Sequence, residues 1–587
     1  LPLDATPISQ NADLTRNSKS KVRDMAASGP TTGKTPVFQV LAEDIKALGV
    51  DCVFGLMSDD TALFATALDT SGVRLYGCRH ENAAIAMADG YAYATGKLAI
   101  AIVGRGPALA NGLHAAVYAS RTSSKLLIIY GEAATAGAPN GLGPDYKALD
   151  GVGVLRAAGL QTFTATSPEG ARQTLADAIS AAMAGNAVTL HLPTNVQLSE
   201  IETPAAPPAL HARPQKPQPA TPQAIATAAA VLATARRPLI VAGIGAHRAG
   251  AREAIAALAE RIGALLVTTA RGKDLFRGHA LNLGILGSFS HSIARRMADQ
   301  ADCVIAFGAG LNFLTTSFGT AVPQVPLIQV DALRTNIGRW LNADVGIVGD
   351  ARLVAEQLLA ALPERAEADK PFHGADTAKL IADFRPEQDF QPQNTPRTID
   401  MRTLGLELET ILPADRNLVV DGGNFLGIVP YLSVPDPGAF KMIGDFASIG
   451  LAFGAALGMA KARPDRTTVM VIGDGGFLMT MGELETIVRE DLPMVVIVMN
   501  DCAYGAELHF LKLRQHPVGK SVFPDVDYAP VAAAFGFDAE TIRTVEDLQR
   551  VAPRLRNPEG PIFLDCKLNA DVAAPFMSEF AHFEGRH

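Results

Sequence analysis

From Phe38 onward the apolar positions alternate between two patterns. Windows such as VLAEDIKALGV and ENAAIAMADGYAYATG repeat at helical spacing, whereas DCVFG, KLAIAIVG, KLLIIYG and NAVTLHLP are short continuous apolar runs. Runs of that kind, rich in β-branched residues and bounded by glycine, predict strands buried on both faces of a parallel sheet. The alternation recurs in RRPLIVAGIGAHRAGA, ALLVTT, DCVIAFGAG and VPLIQVDA, and again in NLVVDGGN, SIGLAFGAALGMAKA, TTVMVIGDGG and LPMVVIVMND. The proline-rich stretch PAAPPALHARPQKPQPATPQ separates the first block from the second, and a polar, Pro-containing connector separates the second from the third. The pattern predicts an α/β chain of three doubly wound parallel-sheet domains at 35–200, 223–362 and 398–587, with linkers at 201–222 and 363–397. Residues 1–34 are largely polar and lack apolar periodicity or a secretory core, so they are expected to be a disordered or added tail, with Met25 the natural start.

Chemistry concentrates in GDGGFLMTMGELETIVREDLPMVVIVMND, residues 473–501. Two strand patterns flank a segment with Leu478, Met481, Leu484, Ile487 and Val488 at helical spacing. In a strand–helix–strand unit the carboxyl ends of both strands open on one edge of the sheet. Asp474 and Asp501 are therefore expected to lie together and could hold a hard divalent cation. Gly473, Gly475 and Gly476 would admit an anion to backbone N–H groups at the helix start, so cation and anion together suit a diphosphate. In the middle block Gly243 and Gly245 also follow a strand, but their spacing departs from G-x-G-x-x-G and favours an ordinary tight turn over a dinucleotide site.

Composition narrows the field. Of 587 residues 48% are hydrophobic and 19% charged, with net charge −9, which argues against non-specific nucleic-acid binding. No apolar run approaches the roughly 20 residues that cross a bilayer. Five scattered cysteines, without metal-type spacing or a disulfide framework, point to a reducing cytoplasmic setting.

Four ordered stretches carry a resemblance: VFGLMSDD (53–60), RHENAAIAMADGYAYATG (79–96), ASIGLAFGAALG (447–458) and the 473–501 segment. From about Thr35 the chain resembles the thiamine-diphosphate enzymes of the acetolactate synthase, pyruvate decarboxylase and benzaldehyde lyase superfamily. The resemblance implies that the three domains are pyrimidine-binding, central and diphosphate-binding. It makes Glu81 the carboxylate that polarises the cofactor's N1′, and Ile449 the apolar support of its bent form. Asp474, Asp501 and the carbonyl of Ala503 would ligate Mg²⁺ or Mn²⁺, with Asn424, Gly473, Gly475, Gly476 and Tyr504 lining the cofactor. Asp501 departs from the family, which commonly has Asn there. The pyrimidine and diphosphate segments of relatives come from different subunits, so a homodimer is the expected minimum and a homotetramer is common.

The resemblance also implies a reaction in which a C–C bond beside a carbonyl is broken or made through an enamine. Asp59 matches an acidic residue of pyruvate decarboxylases, and Met57 and Asp60 stand where benzaldehyde lyase has histidines. NDCAYGAELHF (500–510) is similar to the benzaldehyde lyase stretch, with small Ala506 leaving room for a bulky substituent, while Glu507 matches a decarboxylase glutamate. Tyr146 and Lys147 fall where relatives contact substrate. Asp59, Asp60 and Glu507 are expected to cluster, so that one of them stays protonated and serves as an acid. The leading expectation is a lyase or carboligase acting on 2-keto acids, aldehydes or acyloins. Alternatives are an acetolactate synthase or pyruvate oxidase with FAD in the central domain, for which ARGKDLF…NLGILGSFS offers no clear motif, and a non-catalytic cofactor sensor. His114 and His509 read as structural.

Overall fold

A computed structural model describes residues 33–135, 145–203, 206–210, 216–366, 370–372 and 374–584. The expected tail therefore falls almost wholly outside the described residues, as do positions 136–144 of the loop before Tyr146. Three six-stranded sheets form, and every pairing inside them is parallel. The first comprises β1 (Cys52–Gly55), β2 (Arg74–Gly77), β3 (Ala99–Val103), β4 (Leu126–Glu132), β5 (Gln161–Thr164) and β6 (Ala187–Pro193). The second comprises β7 (Pro238–Ala242), β8 (Leu265–Thr268), β9 (Asn282–Ile285), β10 (Cys303–Phe307), β11 (Leu327–Asp331) and β12 (Val345–Val348). The third comprises β13 (Arg416–Val420), β14 (Phe440–Met442), β15 (Thr467–Gly473), β16 (Met494–Asn500), β17 (Asp538–Ile542) and β18 (Ile562–Lys567).

The outer two sheets share one strand order, β2-β1-β3-β4-β6-β5 and β14-β13-β15-β16-β18-β17, whereas the central sheet runs β9-β8-β7-β10-β11-β12. Each order reverses beside its first strand, between β1 and β3, β7 and β10, and β13 and β15, and the loops on either side of that reversal face a common crevice at the carboxyl edge. In the central sheet the crevice between the loops after β7 and β10 is filled by backbone. A Cβ on Gly245 would sit 2.8 Å from Gly308 Cα, and one on Gly243 would sit 2.7 Å from Ala309 Cα. These glycines serve a tight turn.

The two outer domains meet through two helices, α1 (Glu81–Thr95) and α3 (Leu451–Ala462), with α2 (Pro107–Arg121) packed beside α1. Both α1 and α3 are alanine- and glycine-rich and buried nearly all round, the pattern of a helix in the centre of a large protein. Small residues let their backbones touch. A Cβ on Gly458 would sit 2.8 Å from both Met87 C and Tyr91 N, and one on Gly454 would sit 2.7 Å from Ala86 Cβ.

One expectation needs correction. The segment after β15 is not one amphipathic helix. It splits into α4 (Asp474–Thr480), a 3₁₀ turn at Met481–Glu483 and α5 (Leu484–Arg489). Leu484 and Ile487 are buried, but Leu478 and Met481 are 46% and 39% exposed. The turn re-aims the chain so that Glu483 can accept the Arg79 backbone N–H at 2.9 Å, and this rotates the first half of the apolar stripe away from the core.

Candidate active site

In the third sheet, β15 and β16 run side by side, with Gly473 paired to Met499. The residues that follow, Asp474 and Asn500-Asp501, thus emerge together. Asp474 heads α4 and is 2% exposed, and its Oδ2 has no hydrogen-bond partner among the described residues. Burial first, and the Asp501 charge second, push its carboxyl up to about 8. Burial pushes Asp501 up to about 7. Two desolvated carboxyls side by side, one oxygen unsatisfied, form a donor set that fits a hard divalent cation. The backbone closes around it: Ala503 N–H donates to Asp501 Oδ1 at 3.2 Å, and a Cβ on Gly505 would collide with Asp501 Oδ2. Gly475 lies under the Tyr504 ring, where a Cβ would sit 2.6 Å from Cε1, and Gly473 lies under Phe425, at 2.8 Å from Cε1. Tyr504 is 37% exposed at the mouth.

Across the crevice, the loop after β13 supplies Asp421, a residue sequence reasoning passed over. It is fully buried, its Oδ2 accepts the Gly450 N–H at 2.6 Å, and burial pushes its carboxyl up to about 7. A Cβ on Gly476 would sit 2.5 Å from the same Oδ2, so Asp421 joins the start of α3 to the start of α4. The available signal was VVDGGN, an acid and two glycines after a strand, the same grammar as VIGDGG. Asn424 is 4% exposed and its amide is taken by backbone, donating to Val572 O at 2.9 Å and accepting from Ala574 N at 2.8 Å. Ile449 is half-buried beside Ser448 and Gly450.

Glu81 stands at the first turn of α1, 9% exposed, and accepts from Asn111 Nδ2 at 3.1 Å. Its neighbours belong to the first domain, with Gly112 of α2 against its Cβ. Among the described residues no hydrogen bond or ion pair joins it to Asp474 or Asp501.

Within one chain the acidic trio is divided between the two outer domains. Asp60 is buried at 7% exposure, accepting the Arg105 N–H at 3.0 Å and lying 3.5 Å from Arg105 Nε. Asp59 is ion-paired with Lys147, whose hydrogen bond holds the Asp59 carboxyl below its usual range. Asp59 is thus the wrong member to retain a proton, because an ammonium partner favours the ionised form. Glu507 sits exposed in the first turn of the helix Gly505–Leu513 in the other outer domain, with half-buried Ala506 before it. Met57 is 56% and Tyr146 82% exposed. Arg105, which also pairs with Asp145, staples the loops after β1, β3 and β4 together; nothing in the sequence distinguished it.

Three family models match this chain in order. They are the thiamine pyrophosphate enzyme N-terminal TPP binding domain at 36–151, the central domain at 225–358, and the C-terminal TPP binding domain at 421–566. The "Probable 2-ketoarginine decarboxylase AruI" of Pseudomonas aeruginosa is 30% identical over 520 residues, covering 87% of this chain and 90% of the relative. A "Probable acetolactate synthase large subunit" of Methanocaldococcus jannaschii is 28% identical, covering 92% and 93%. A "Sulfoacetaldehyde acetyltransferase" of Castellaniella defragrans is 28% identical, covering 92% and 94%. In fold the chain resembles a solved thiamin-diphosphate-dependent-enzyme candidate from Mycobacterium smegmatis, with TM-score 0.72 and 21% identity over 91% of this chain and 99% of that one. The chain belongs to the thiamine pyrophosphate enzymes, and thiamine pyrophosphate (thiamine diphosphate) is the cofactor its outer domains are built to bind. Among the described residues no helix is long and apolar enough to cross a membrane.

Proposed function

We propose that the protein is a thiamine-diphosphate- and Mg²⁺-dependent lyase or carboligase that breaks or makes C–C bonds of 2-keto acids, aldehydes or acyloins. The observation that carries this reading is the pairing of buried Asp474, its Oδ2 unsatisfied among the described residues, with half-buried Asp501 at the start of a helix. Asp474, Asp501 and the Ala503 carbonyl hold the cation. Backbone N–H groups at Gly473, Gly475 and Gly476 receive the diphosphate, with Tyr504 at its rim and Asn424 bracing the loop below. When bound, the cofactor supplies a nucleophilic carbon that adds to a carbonyl and stabilises the electron pair released as the neighbouring bond breaks.

The protein's part is orientation and proton control. Glu81, oriented by Asn111, holds a proton at the pyrimidine ring nitrogen, and Ile449 supports the ring by packing. Its carboxylate faces its own α2, which supports assembly from two chains, with Glu81 of one serving the cofactor held by the other. Exposed Phe446, Leu478, Met479 and Met481 support a homodimer at least, and a homotetramer extends the same reading. Met57, Tyr146, Lys147 and Ala506 line the substrate pocket, and Asp59, Asp60 and Glu507 bring carboxylates to it.

Acetolactate synthase-like condensation of pyruvate is the second reading, favoured by the relative from Methanocaldococcus jannaschii. One experiment separates the two. The protein is incubated with thiamine diphosphate, Mg²⁺ and a panel of pyruvate, benzoylformate, 2-ketoarginine, sulfoacetaldehyde, benzoin, acetoin and aldehydes, and products are identified. Aldehyde or acyloin products without acetolactate support the first reading. Acetolactate from pyruvate, with a flavin spectrum, replaces it with the second.

A further inference from the structure

The loop from Asp445 to Gly450 has an unusual backbone. Phe446 has φ 113° and Ala447 φ 49°, both in the left-handed half of conformational space, and Gly450 follows at φ 85°. Non-glycine residues hold such conformations only where their neighbours over-determine them, and such residues gather at ligand clamps. Here the restraints come from all three domains. Asp421 accepts from Gly450 N at 2.6 Å, Arg271 of the central domain pairs with Asp445 at 3.3 Å, and the Arg121 guanidinium stacks 4.4 Å from the Phe446 ring centre. The fourth restraint is His114 of α2, whose Nε2 lies 2.9 Å from Ser448 Oγ, one residue before Ile449.

This last contact stands apart. His114, Ser448 and Ile449 line a cavity of about 480 Å³ between the two outer domains, together with His80, Asn82 and Met479. On that side the loop borders this cavity, and His114 holds it twice, by the hydrogen bond to Ser448 and by its ring lying 6.2 Å from the Phe446 ring centre. Ser448 is 3% exposed, and its hydroxyl loses a buried partner if the imidazole is removed. One helical turn earlier, Asn111 of the same α2 orients Glu81 at 3.1 Å, and Ala115 N–H holds Asn82 Oδ1 at 3.0 Å.

We infer that His114 is a positioning residue: through Ser448 it fixes Ile449 under the cofactor's pyrimidine end, and α2 is a strut that ties this loop to the Glu81 that would serve the neighbouring cofactor. The inference rests on the reading of Ile449 and Glu81 as cofactor residues given above. It predicts a split between the two ends of the ligand. The diphosphate end depends on α4 and the Asp474–Asp501 pair, which His114 does not touch, whereas the pyrimidine end depends on the 445–450 loop.

The test is calorimetric titration of apoprotein in Mg²⁺ with thiamine diphosphate and, separately, with inorganic pyrophosphate, for wild type, His114→Ala and His114→Gln. Loss of one hydrogen bond should weaken thiamine diphosphate about three- to tenfold in His114→Ala while leaving pyrophosphate within about twofold. His114→Gln, whose amide reaches the same region, should recover most of the loss. Amide hydrogen exchange across 446–450 should quicken in His114→Ala and not elsewhere. Unchanged thiamine diphosphate affinity in His114→Ala, or an equal loss for both ligands, overturns the strut alone. Wild type that binds pyrophosphate but not thiamine diphosphate overturns the cofactor reading and the strut with it.

Discussion

Replacing Asp474 by asparagine should strengthen the apoprotein and destroy its cofactor site at once. Without a cation, Asp474 lies at about 8 rather than 3.8, chiefly because it is buried and secondarily because Asp501 is charged. A carboxyl raised in the fold binds its proton more tightly there than in the unfolded chain. Its contribution to stability is therefore complete below about pH 4 and is lost as the pH climbs to about 8. The displacement from 3.8 to about 8 corresponds to about 5 kcal/mol at the upper end of that window. Asparagine removes the charge but brings an amide that must itself be desolvated, at a cost of about 1–3 kcal/mol. A net gain of about 2–4 kcal/mol at pH 8, shrinking toward pH 5, is the expected balance, each kcal/mol equivalent to about 2–4 °C in Tm for a domain of this size. Scanning calorimetry in EDTA from pH 5 to 8.5 measures it. Adding Mg²⁺ and thiamine diphosphate should then raise the Tm of wild type by mass action and leave Asp474→Asn unmoved. A variant less stable than wild type at pH 8, or one still stabilised by the ligands, would refute the reasoning.

Glu81→Gln should keep thiamine diphosphate binding within a few-fold but lower kcat by about 10²–10⁴, since only the proton-holding carboxylate is lost; dialysis and turnover measure the two sides, and full activity would remove Glu81 from the chemistry. Gly458→Ala gains about 1 kcal/mol in helix propensity, yet its Cβ has nowhere to go between Met87 and Tyr91, so a net loss of about 1–3 kcal/mol is expected. Gly482→Ala, whose Cβ would lie 3.8 Å from Arg79 Cβ, is the control that should melt like wild type. Ala506→Leu should narrow the range of aldehyde acceptors without changing cofactor affinity, and an unaltered acceptor profile would place Ala506 outside the pocket.

Much of this was legible without coordinates, and for a physical reason. Continuous apolar runs bounded by glycine are hard to satisfy except as strands covered on both faces, so three parallel-sheet domains follow from the pattern of the chain. The convergence of Asp474 and Asp501 follows equally from strand–helix–strand geometry, which sends both strand ends to one edge. Local periodicity failed where a tertiary contact overrode it: Glu483 reaches across to the Arg79 backbone, the helix breaks, and Leu478 and Met481 turn outward.

Charge partners were the least legible. Asp59, Asp60 and Glu507 read alike as acids, yet Lys147 and Arg105 claim the first two and the third lies exposed on another domain. Asp421 and His114 matter through residues tens to hundreds of positions away, at Gly450 and Ser448. Which elements exist is decided by spacing along the chain. Which side chains meet, and which carboxyls lose their water, depends on how three domains pack, and that is a property of distances in space that no single stretch of sequence contains.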